Sequence, residues 1–105
     1  MDKYKALKDQ VEKSGFTVWE NDHDVAIDRI VLSRGVEGNS FWVSRSEEKG
    51  WILGMWGPAY YLVPDEIDIA KMCLSLLRST RETLPDVNAA FKRKFKLKQI
   101  PESDW

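Results

Sequence analysis

Tyr4, Leu7 and Val11 recur at intervals of three and four residues, charged residues fill the gaps, and Ser14-Gly15 supplies a stop. That spacing lines one face of a helix and predicts a first helix over residues 2–14. The period then changes. "FTVWE" (16–20) and "VAIDRIVLSR" (25–34) are rich in β-branched and aromatic residues, and the polar cluster "NDHD" between them reads as a hairpin turn. The Gly-containing loop "GVEGNS" leads to a third strand, "FWVSRS" (41–46). "EEKG" turns the chain into a fourth, "WILGMW" (51–56), and "YYLV" (60–63) is a short fifth. Pro64 ends the sheet. Asp65 is placed to cap a helix over 65–79, whose acidic first turn complements the helix dipole and whose inner face is Ile69, Cys73, Leu76 and Leu77. Pro85 and Asp86 start a third helix, "DVNAAFKRKFKLK", with Val87, Ala90, Phe91, Lys94 and Phe95 along one stripe. The tail "IPESDW" is expected to be loosely held unless Trp105 docks.

The connections between strands are short, so neighbours in sequence pair antiparallel. The expected fold is α+β: a mainly antiparallel five-stranded meander with an N-terminal helix and two C-terminal helices, in the order α-β-β-β-β-β-α-α. A chain of 105 residues suits one such domain with a single core, taken as residues 1–100 with a tail over 101–105. No repeat, low-complexity segment or internal linker interrupts it.

The hairpin "GWILGMWGPAYYLVP" is apolar on both faces. With an even-length loop around Gly57-Pro58-Ala59, Trp56 and Tyr61 share a face with Ile52, Gly54 and Val63, while Leu53, Met55, Tyr60 and Leu62 take the other. Pro58 favours that loop, whereas a three-residue loop moves Tyr60 to the Trp56 side. Strand two puts Ile30 and Leu32 on one face and Val31 with Arg29 on the other. Strand three puts Phe41 and Val43 opposite Trp42, Ser44 and Ser46. One reading covers the central strands on both sides, one helix behind and the C-terminal helix in front. The other places all helices on one side and leaves Trp42, Trp56 and Tyr61 as an aromatic patch for a partner. Gly54 is small because a neighbouring ring lies across it or because a ligand approaches the backbone there, and the first is favoured.

Composition adds limits. An apolar fraction of 43% and a charged fraction of 31% are ordinary for a folded domain, but five Trp residues must be buried or used. Sixteen Lys and Arg against seventeen Asp and Glu leave a net charge of -1, so no overall field draws the molecule to polyanions. Cys73 is the only cysteine, which excludes an internal disulfide and suits the cytoplasm. The opening "MDKYKALKDQ" lacks the apolar core of a secretory signal, and no apolar run reaches the roughly 20 residues of a membrane helix.

Candidate chemistry is sparse. The serine-elbow, phosphate-loop, dinucleotide-turn and zinc-helix motifs are all absent. His23, the only histidine, sits in the polar turn, and Asp22, His23 and Asp24 read as a solvated turn rather than a metal site. Cys73 reads as a packing residue, and neither metal nor redox cofactor is expected. The run "KRKFKLK", with Lys92, Arg93, Lys94, Lys96 and Lys98, offers a local positive field in which Phe95 could stack a base; a solvated helix face is the favoured reading. The layout has an architectural likeness to bacterial immunity and adaptor proteins, which bind another protein without catalysis. That likeness is one of topology and matches no motif. The expected function is therefore a non-catalytic protein- or peptide-binding module using an aromatic sheet face. A small-molecule-binding domain or a small enzyme is the alternative, with nucleic-acid binding by the basic run a minor one.

Overall fold

The computed structural model describes residues 3–20, 29–33, 40–55, 59–79 and 87–101. The elements run α1 (Lys5–Lys13), β1 (Thr17–Glu20), β2 (Ile30–Ser33), β3 (Ser40–Ser46), β4 (Gly50–Met55), β5 (Ala59–Val63), α2 (Ile69–Ser79), α3 (Ala89–Lys94) and β6 (Lys98–Ile100). The strands form one sheet of six in sequence order, every neighbouring pair antiparallel. The expected α+β meander is present, with one strand more than expected.

The sixth strand begins at the last residue of the basic run. Helix α3 stops at Lys94, and the chain turns through Lys96 at φ 55° and lays Lys98–Ile100 against β5. The run "KRKFKLK" therefore spans a helix end, a turn and a strand rather than one helical face. Phe91 and Phe95 keep the helical stripe and meet at 4.8 Å between ring centroids.

Helix α1 presents Leu7 and Val11 to the core, and Tyr4 at its N-cap is buried too. It ends as the sequence indicates. Gly15 adopts φ 92°, where the Phe16 N–H donates to the Val11 carbonyl and the Gly15 N–H to that of Glu12. This is the Schellman arrangement that favours glycine at its left-handed position. Tyr4 also ties the helix start to the sheet: its hydroxyl accepts from the Arg45 N–H at 3.1 Å, and its ring lies 5.8 Å from that of Trp51.

Helix α2 begins four residues later than expected. Asp68, not Asp65, is the cap: its Oδ1 accepts from the N–H groups of Ala70 (3.0 Å) and Lys71 (3.2 Å). Residues 64–67 are used instead by a turn closed from the Ile67 N–H to the Pro64 carbonyl. The inner face is Ala70, Met72, Cys73, Leu76 and Leu77, with Ile69 half-buried at its start.

The buried residues of all three helices join one cluster with Ile30, Leu32, Phe41, Val43, Leu53, Tyr61 and Val63. This is the helix-covered face of the sheet. Burying each large aliphatic or aromatic side chain there contributes about 1.5–3 kcal/mol relative to leaving it in water. The loops "NDHD" and "GVEGN", the Trp56-Gly57-Pro58 connection, the start of the third helix at Pro85-Asp86 and the tail beyond Pro101 lie outside the described residues.

Candidate functional site

The second face of the sheet carries one row that crosses every strand. Trp19 pairs with Val31, Val31 with Trp42, Trp42 with Gly54, Gly54 with Tyr60, and Tyr60 with Ile100. Direct cross-strand partners point to the same side, so these six residues form a ridge spanning five strand spacings, about 24 Å.

The ridge is organised around a gap. Gly54 lacks a side chain, and the indole of Trp42 occupies the space where one would stand. Tyr60, opposite Gly54 on the other flank, reaches the indole at 5.7 Å between centroids and an interplanar angle of 56°. The Arg29 guanidinium lies 5.4 Å from the indole, within cation–π range. Trp42 ends 2% exposed. Ser33 and Ser44, on the same side of the sheet, are buried as well, so this face mixes hydroxyls with rings.

The expected aromatic trio is not assembled. Met55 pairs with Ala59, which leaves three residues in the hairpin connection, not an even number. That shifts β5 by one position relative to the even-loop reading: Tyr60 joins Trp42 and Gly54, and Tyr61 turns to the helix side beside Leu53. Tyr61 is 6% exposed there, burial raises its phenol pKa, and Lys92 stands 5.5 Å from its ring centroid. Trp42 and Tyr61 therefore occupy opposite faces. Trp56 lies outside the described residues.

What sequence reading missed is Trp19. It stands on β1, at one edge of the sheet, and is 49% exposed, the one exposed large apolar side chain among the described residues. The signal was available: strand one of a meander is an edge strand, and Trp19 alternates away from Val18, which packs with the core.

The basic residues of the run do not share one face. Lys92 lies over Tyr61, Lys94 lies 5.3 Å from the Phe95 centroid, and the Lys96 ammonium is 3.6 Å from Glu66. Cys73 is fully buried; burial pushes its thiol pKa well above the ordinary range, and the Asp68 carboxylate adds to the rise. A thiol held protonated in the core is no nucleophile. Asp22, His23 and Asp24 lie outside the described residues; among those described, no group of three metal-ligating side chains converges. No helix among the described residues is long and apolar enough to cross a membrane. No family model, curated protein or solved structure matches this chain.

Proposed function

We propose that this protein is a non-catalytic binding module that takes an extended protein segment along the outer edge of β1, with Trp19 as the anchor. One observation carries the reading: the ridge on the second face ends in a half-exposed tryptophan on an edge strand. An edge strand offers a row of backbone donors and acceptors, and an added strand satisfies them while alternate side chains meet the ring next to them. Trp19 gives a large apolar surface with an indole N–H, the combination on which interface hot spots are commonly built. The rest of the ridge supplies rigidity, since Val31 and Trp42 back the strand from within the sheet. A single, buried cysteine suits a reducing compartment, and the proposed setting is the cytoplasm.

The test is selection of peptides from a displayed library on the folded protein, followed by calorimetric titration. Selected peptides should shift the amide resonances of residues 17–20, and Trp19→Ser should weaken binding by about 2 kcal/mol while leaving the unfolding midpoint unchanged. Undiminished binding by the variant would remove Trp19 from the site and the proposal with it.

A further inference from the structure

At the far side of the sheet, around β5 and β6, lies a hollow of about 410 Å³ lined by Lys49, Leu62, Val63, Pro64, Asp65, Lys96 and Lys98. We infer that it is a binding site for a small organic anion, a phosphate or carboxylate head carried on an apolar body. The head faces the three ammonium groups and the body rests on Leu62 and Pro64, both half-buried. These residues are separate from the Trp19 edge, so this inference and the proposed function stand or fall independently.

Three unrelated pieces of backbone bring the lysines together. Lys49 sits in the β3–β4 turn, where its N–H donates to the Ser46 hydroxyl at 3.2 Å and the following Gly50 takes φ 76°. Lys98 is the direct partner of Leu62 across β5 and β6. Lys96 occupies the left-handed position that ends α3: the Leu97 N–H donates to the Lys92 carbonyl at 2.9 Å and the Lys96 N–H to that of Arg93 at 3.3 Å. This is the same Schellman closure that ends α1, where glycine stands.

The comparison of the two helix ends points to a ligand. At φ 55° a β-carbon is unfavourable, and glycine is the residue that relieves it. A lysine there leaves the helix end less stable than glycine would, and its surface contact with Glu66 at 3.6 Å, both side chains well exposed, returns little. A local conformational cost at a residue lining a hollow is a signature of a functional position. What the position gains is a third cation beside the hollow.

The charge count selects the class of anion. Three lysines against Asp65 and the Glu66 carboxylate beside Lys96 leave a small positive excess, which suits a small anionic head rather than a long polyanion. Lysine ammoniums act as point charges without a fixed fork, so phosphate and carboxylate are both accepted and discrimination falls to the apolar floor.

The test uses the full chain, with phenyl phosphate, benzoate and inorganic phosphate as probes, followed through backbone amide resonances. Saturable shifts are expected at Lys49 and residues 96–98, with phenyl phosphate and benzoate both binding and phenyl phosphate tighter than inorganic phosphate. Lys96→Gly should weaken phenyl phosphate about tenfold and raise the thermal midpoint. Lys98→Gln, on an exposed strand position, should weaken it comparably without altering the fold. The inference is overturned by the absence of saturable shifts at these residues, by inorganic phosphate binding as well as phenyl phosphate, or by full affinity in both variants. It is equally overturned if an oligonucleotide occupies the same residues more tightly with a steep salt dependence.

Discussion

Trp42 lies across Gly54: a β-carbon on Gly54 would overlap Cε2, Cζ2 and Cδ2 of the indole. The two residues are direct partners on β3 and β4, so their backbones cannot part without opening the ladder, and relief has to come from displacing the buried Trp42 ring. Gly54→Ala should therefore destabilise the fold by about 3 kcal/mol, at the upper end for overpacking of a buried position. The cost should fall sharply when Trp42→Leu is made in the same chain, because the smaller side chain vacates the overlap. A double-mutant cycle read by urea unfolding measures this coupling; strictly additive effects would mean that the ring is not what excludes the side chain.

Asp68→Ala should cost about 1 kcal/mol, since it strips the accepting oxygen from two N–H groups at the start of α2. Asp65→Ala should change stability by no more than about 0.5 kcal/mol, as expected of an exposed residue outside the helix. Equal losses for the two variants in chemical denaturation would move the cap back to Asp65.

Gly15→Ala should cost about 1 kcal/mol by forcing a β-carbon into the left-handed region at φ 92°. No neighbouring atom stands within 4 Å of the added carbon, so the loss would be one of backbone conformation alone. Thermal unfolding of the variant supplies the number, and an unchanged midpoint would contradict the Schellman geometry.

Burial raises the Cys73 thiol above its ordinary pKa, so the folded protein keeps a proton that the unfolded chain releases. The sign follows: this contribution is fully present below the unfolded thiol pKa of about 8.5 and is lost as pH rises beyond it, by at most about 1.4 kcal/mol per unit. Unfolding free energies between about pH 8.5 and 10 should fall along this slope, before tyrosine and lysine titration takes over. Cys73→Ala should be less stable at neutral pH yet show a flatter profile. Thiol reagents should modify the native protein only at the rate of unfolding, and fast labelling would place Cys73 elsewhere.

Much of the fold is legible residue by residue. The three- and four-residue spacing of Tyr4, Leu7 and Val11 specifies a helix face, and all three residues are buried. The alternation of Phe41 and Val43 against Trp42 and Ser44 specifies a strand with two distinct faces, as found. Such patterns are local, because the helical and strand periods are set by the backbone of a few residues. The sixth strand was not legible for the same reason. Residues 98–100 are three positions at the end of a lysine-rich run, and their strand character comes from the open edge of β5 rather than from their own pattern.

The candidate sites divide along the same line. The sequence alone determined that this chain makes an antiparallel meander with a helix-packed core and that both faces of its central hairpin are apolar, and it favoured a ring over a ligand as the neighbour of Gly54. It did so because periodicity and glycine report conditions local to each residue. Only the tertiary structure decided which ring covers Gly54, which of Tyr60 and Tyr61 shares its face, and where the lysines of "KRKFKLK" point. A change of one residue in a hairpin connection inverts the facing of every later side chain in the strand, and one left-handed residue redirects a run from helix to sheet. Those choices are made by the pairing of distant strands, as Met55 with Ala59 and Leu62 with Lys98 make them here.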